Sequence, residues 1–77
     1  MDKRILTDLE EGQSGIIVNI NGGKRSTKRL ADMGLVPGTE VQLLTSTLFS
    51  GPIQIKIYRS RLVIGRGLAS RIIVDVK

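Results

Sequence analysis

Pro52-Ile53-Gln54-Ile55-Lys56-Ile57-Tyr58 is the stretch that decides the fold class. Ile53, Ile55 and Ile57 alternate with Gln54, Lys56 and Tyr58. An apolar period of two marks a strand with one buried face, because successive side chains point to opposite sides. Downstream, Arg59-Ser60 reads as a two-residue connection to a second strand from Arg61 to Gly65, which offers Leu62 and Ile64 to the same interior. The pair therefore reads as a hairpin. Upstream, Ser50-Gly51-Pro52 closes the preceding loop. Three further segments have strand character: Ser14 to Ile20, Glu40 to Thr45, and Ile72 to Val76. The first places Ile16, Val18 and Ile20 on one face; the second, Val41 and Leu43; the third, Ile72, Val74 and Val76.

One segment between strands reads as helix. Lys24 to Met33 lacks Pro and Gly and sets Leu30 and Met33 at i and i+3. Gly34 ends it, since a glycine past the last turn takes the left-handed conformation and lets Leu35 fold back on the helix. Pro37 blocks continuation, and Pro37-Gly38 fits a type II turn. Asn21-Gly22-Gly23 is a turn before the helix, and Gly67-Leu68-Ala69-Ser70 suggests a second short helical turn. Five short strands with one short helix in the first crossover make the chain mainly β and predict a small closed or partly open barrel. Residues 1–77 read as one domain, for the length leaves no room for two.

Composition narrows the function. With no Cys and no His, neither disulfides nor a zinc site of thiolates and imidazoles can form. Packing alone must hold the fold. No apolar run approaches a membrane span, and Met1-Asp2-Lys3-Arg4 is too charged for a signal peptide; the expected location is cytoplasmic. The net charge of +5 is uneven. Residues 1–12 set Lys3 and Arg4 against four carboxylates, whereas the remainder sets its basic residues against Asp32, Glu40 and Asp75 alone. Such a surface suits acidic partners, although edge strands also carry Lys and Arg to deter aggregation.

Several motifs fail on spacing. Gly23-Lys24 suggests a phosphate loop, but Val18 stands where the first glycine belongs and Arg25 where Ser or Thr belongs. A loose anion nest at Gly22-Gly23 is a separate reading. Gly65-Arg66-Gly67 begins a dinucleotide fingerprint but meets Ser70 at the last glycine position, with no long helix after it. Catalysis needs positioned acids, bases or nucleophiles. The carboxylates are few: Glu10-Glu11 are adjacent, and Asp32, Glu40 and Asp75 are isolated. The expectation is no enzyme. Nucleic-acid binding is the alternative that the charge recommends, yet Phe49 and Tyr58 are the only aromatics and give a poor stacking surface.

Arg29-Leu30-Ala31-Asp32-Met33-Gly34-Leu35-Val36-Pro37-Gly38-Thr39 resembles the signature of the FeoA family, small accessory proteins of ferrous iron transport. Leu9-Glu10-Glu11-Gly12 resembles the family's opening turn, and Gly51-Pro52-Ile53 the entry to its central hairpin. Leu62-Val63-Ile64, Ala69, Ile72 and Val74 resemble its closing hairpin and last strand. The likeness covers roughly residues 5–76. It implies an SH3-like five-stranded β-barrel, a domain also found at the C-terminus of metal-dependent repressors. It implies a regulatory role beside FeoB, the membrane ferrous iron transporter with a cytosolic GTP-binding domain. It also implies transition metal ion binding, for which this sequence shows no clear ligands; ferrous iron enters only as the species transported. Within the motif, Leu30, Met33 and Leu35 read as core, Gly34 as the helix stop, and Pro37 and Gly38 as the turn. Arg29 either holds a carboxylate within the fold or meets a partner.

Two candidate contact surfaces follow from the strand and helix faces. Ile17, Leu44, Val63 and Ile73 fall on outward positions, with Leu48 and Phe49 in the adjacent loop. Contiguous exposed apolar area marks interaction surfaces, so Leu44, Leu48 and Phe49 are expected to contact a partner or a second copy of the chain. Burial under the N-terminal segment, through Ile5 and Leu6, or under the helix is the competing reading. Lys24, Arg25, Lys28 and Arg29 form a cationic helix edge suited to an acidic protein surface.

Overall fold

The computed structural model describes residues 2–46 and 51–77. Its strands are β1 (Asp2–Ile5), β2 (Ser14–Ile20), β3 (Glu40–Ser46), β4 (Ile53–Ile57), β5 (Ser60–Ile64) and β6 (Ile72–Val76). Helix α1 (Lys24–Asp32) joins β2 to β3, and the single turn α2 (Arg66–Ala69) precedes β6. A 3-10 turn, Leu6–Asp8, follows β1. All strand pairs are antiparallel, in the order β1-β6-β2-β3-β4-β5.

The five-stranded barrel is thus corrected to a six-stranded sheet that does not close, with β1 and β5 as its edges. The extra strand, Asp2-Lys3-Arg4-Ile5, is exposed over its first three residues. It pairs with β6 through its backbone and carries no apolar alternation, so its side chains gave nothing to read. Its charges suit an edge.

The β4 stretch behaves as its alternation demands: Ile53, Ile55 and Ile57 are buried, and Gln54 and Lys56 are exposed. They pack with Val41 and Leu43 of β3, Ile64 of β5, and Ile72 and Val74 of β6. Leu6 and Leu9 of the N-terminal segment complete this core beside Leu30, Leu35 and Ala69. The hairpin turn lies one residue earlier than expected. Ile57 pairs with Ser60, so Tyr58-Arg59 makes the turn and Ser60 begins β5. Tyr58 takes φ 52° to do so.

β2 departs from the expected facing. Ile17 is 1% exposed, in the core, and Val18 is 37% exposed. Ile16-Ile17-Val18 is an unbroken apolar run, and such a run carries no period. Pairing decides instead: Gly15 lies opposite Val41 and Val76, and Ile17 opposite Val74. Alternation from Ile17 puts Val18 outward, and a register shift between Ile17 and Asn19 brings Ile20 back to pack against the core. Such bulges bend a strand and change which face it presents. Ile17 therefore leaves the proposed outer patch. Leu44 and Ile73 are half-buried, and Val63 is 65% exposed. Leu48 and Phe49 lie outside the described residues.

The end of α1 is a complete Schellman closure. The Leu35 N–H donates to the Leu30 carbonyl at 2.9 Å and the Gly34 N–H to that of Ala31 at 2.9 Å. Gly34 has φ 86°, and Leu30 and Leu35 are fully buried, the apolar contact that accompanies this motif. The next turn is also as expected: Gly38 has φ 97°, and the Thr39 N–H donates to the Val36 carbonyl at 3.1 Å. Thr39 is buried, and its hydroxyl donates to the Gly34 carbonyl at 3.3 Å. The core motif residues thus act structurally.

Two glycines carry testable consequences. A Cβ on Gly15 would stand 2.9 Å from the Asp75 carbonyl oxygen and 3.2 Å from Val74 Cβ. Backbone cannot yield cheaply there, so Gly15→Ala should cost about 1–3 kcal/mol in urea unfolding; unchanged stability would show that β2 and β6 have room between them. Gly34→Ala forces a side chain into the left-handed region and should cost about 1–2 kcal/mol, read as an earlier thermal midpoint.

Candidate functional site

Helix α1 presents the cations that the sequence singled out. Lys24, Arg25, Lys28 and Arg29 are all exposed. Leu30 holds the helix against the core from its last turn. The other end has little support: Gly23 is the N-cap, with no side-chain cap, and the first turn holds no acid. Lys24 and Arg25 occupy that first turn, where the helix dipole favours anions and cations cost about 0.3–1 kcal/mol each. Lys24 and Lys28 are four residues apart, as are Arg25 and Arg29, and like charges at that spacing repel. Lys28 is offset by Asp32, at 3.2 Å. Both partners are largely exposed, so the pair contributes little. Arg29 has no carboxylate partner among the described residues, which removes the reading that it binds an acid within the fold.

The helix end and β2 are knit together. The Gly38 N–H donates to the Ile17 carbonyl at 2.7 Å, and the Ile17 N–H to that of Thr39 at 2.9 Å. This draws the turn after α1 onto β2, with Val36 and Val18 exposed on these two segments. Neither valine was expected at the surface. Val18 was hidden by the missing period, and Val36 by its place inside a turn motif. Of the expected contact residues Leu44, Leu48 and Phe49, Leu44 lies within the described residues, half-buried on β3.

A concavity lies on the outward side of the sheet. It is a groove of about 520 Å³ lined by Ser14, Glu40, Gln42, Lys56 and Tyr58, among others. Glu40 is paired with Lys77 at 2.9 Å. Gln42 donates through Nε2 to the Gly12 carbonyl at 2.9 Å. Tyr58 stands at its rim, 78% exposed.

The residues present do not fit a resident transition-metal centre. Neither imidazole nor thiolate is available, and among the described residues no three carboxylates come together. Nitrogen and sulfur donors are what such ions prefer. Among the described residues no helix is long and apolar enough to cross a membrane.

The comparisons agree with this geometry. The FeoA domain model matches residues 5–76. A protein of Methanocaldococcus jannaschii, provisionally named Fe(2+) transport protein A, is 33% identical over 70 residues, covering 91% of this chain and 83% of that one. The crystal structure of an iron uptake regulatory protein, FeoA, superposes with a TM-score of 0.92 at 39% identity, covering 99% of this chain and 100% of the other. The zinc-complexed FeoA of Stenotrophomonas maltophilia, described as a procaryotic SH3 domain protein, gives a TM-score of 0.76 at 22% identity, covering 91% and 87%. The SH3-like fold is thus shared, and neither it nor the family is known for enzymes. With the motif from Arg29 to Thr39 folded as helix, Schellman stop and type II turn, this chain belongs to the FeoA family of iron transport proteins.

Proposed function

We propose that this chain is a non-enzymatic, cytoplasmic regulator of ferrous iron uptake that binds the cytosolic GTPase part of a FeoB-type transporter. The contact surface is the cationic face of α1. Membership of the FeoA family supports the setting. The observation that carries the surface is Lys24 and Arg25 in the first turn of α1, against the helix dipole and with no partner acid among the described residues. A local cost that nothing inside the fold offsets is the usual mark of a functional position. Lys28 and Arg29 extend the same cationic edge, and Leu44 is the apolar candidate that remains within the described residues. Iron is cargo of the system in this reading, and its chemistry passes through the partner.

The charge pattern yields a test in which stability and binding move in opposite directions. The double variant Lys24→Glu, Arg25→Glu places acids at the positive end of the helix, so it should stabilise the fold by about 1 kcal/mol. The same variant should weaken binding to the transporter's cytosolic domain by about tenfold or more and flatten its salt dependence. Calorimetric titration at two salt concentrations, with and without nucleotide, measures this. Equal affinity for variant and parent would remove α1 from the interface; failure of the parent to bind that domain would remove the partner.

A further inference from the structure

The outward side of the β4–β5 hairpin breaks two local rules at one place. Lys56 and Arg61 are direct cross-strand partners, and like charges placed opposite each other destabilise a strand pair. Both are exposed, and neither has an ion-pair partner among the described residues. Residues 41–74 contain no Asp or Glu, and the acid that shares the groove with Lys56, Glu40, is paired with Lys77 at 2.9 Å. Two residues from Lys56, Tyr58 holds φ 52°. The two-residue turn sets this conformation, and a bulky side chain adopts it only at a cost. Glycine or asparagine would sit there more easily. The two features meet at the groove on the outer face. Ser14, Gln42, Lys56 and Arg61 form one continuous row across β2, β3, β4 and β5, and Tyr58 rises at the groove's rim.

We infer that this face is a second binding surface, separate from α1, which takes an acidic, extended peptide segment. Lys56 and Arg61 hold its carboxylates, and its main chain lies in the groove against Tyr58. The cation pair requires negative charge in the occupant. The rest of the lining suits a peptide better than a nucleic acid. The Ser14 hydroxyl, the Gln42 carbonyl oxygen and the Glu40 carboxylate supply acceptors for main-chain N–H groups. One tyrosine is a single stacking platform where strand-binding proteins use several.

The test uses three probes on the full chain: a short labelled peptide of alternating Glu and Ser, its Lys–Ser counterpart, and oligothymidylate of equal length. The Glu–Ser peptide should bind best and shift the amide resonances of residues 40–42 and 56–61. Lys56→Glu should raise the thermal midpoint, by turning a like-charged pair into an opposite one, and weaken the peptide by about tenfold. Tyr58→Gly should likewise raise the midpoint and weaken binding. Tighter binding of oligothymidylate, shifts confined to α1, or peptide affinity indifferent to Lys56→Glu and Tyr58→Gly would each overturn the inference.

Discussion

β6 lies between β1 and β2, and this placement sets the rest of the molecule. The last strand pairs with the first over Asp2–Ile5 and with the second over Gly15–Ile20. Both pairings are distant in sequence, so they form only after large loops close. The approach is tightest at Gly15, where the Asp75 carbonyl occupies the space a side chain would need. With Gly15 facing inward, Ile17 follows it into the core and Val18 alternates out, and the bulge after Ile17 brings Ile20 back inward. The face of the sheet that meets the core is thereby decided, and so is the face left for partners.

Around this frame the chain obeys local rules closely in some places and breaks them in others. The closure of α1 is fully satisfied: Gly34 supplies the positive φ, Leu30 and Leu35 meet, and the buried Thr39 hydroxyl has its partner. The start of α1 and the tip of the β4–β5 hairpin are different. One places cations at the positive end of a helix. The other sets two cations opposite each other beside a tyrosine with positive φ. Both sites are exposed, so the violations do not come from packing. Both carry exposed cations at a local cost to stability, which is the pattern behind the two proposed contact surfaces.

Much of this was legible in the sequence. The alternation of Ile53, Ile55 and Ile57 fixed a buried-face strand, because period two has no other common origin. Gly34, Leu35, Pro37 and Gly38 announced a helix stop and a type II turn, since few residues tolerate those dihedrals. The cationic edge at Lys24, Arg25, Lys28 and Arg29 followed from helical spacing alone. Absent His and Cys bounded the chemistry before any coordinate was known.

What tertiary structure decided was everything that depends on partners across the sheet. β1 has no apolar pattern and exists as a strand because β6 pairs with it. The facing expected for Ile17 and Val18 was reversed, because a continuous apolar run carries no period, and pairing with Val41, Val74 and Val76 settled it. The opposition of Lys56 and Arg61 rests on a hairpin register one residue from the expected one, set when Tyr58 took the turn. Local sequence determines dihedral preference and periodicity, because these act between near neighbours. Register, edge pairing and sheet closure are set by residues far apart in the chain, and only the folded sheet brings them face to face.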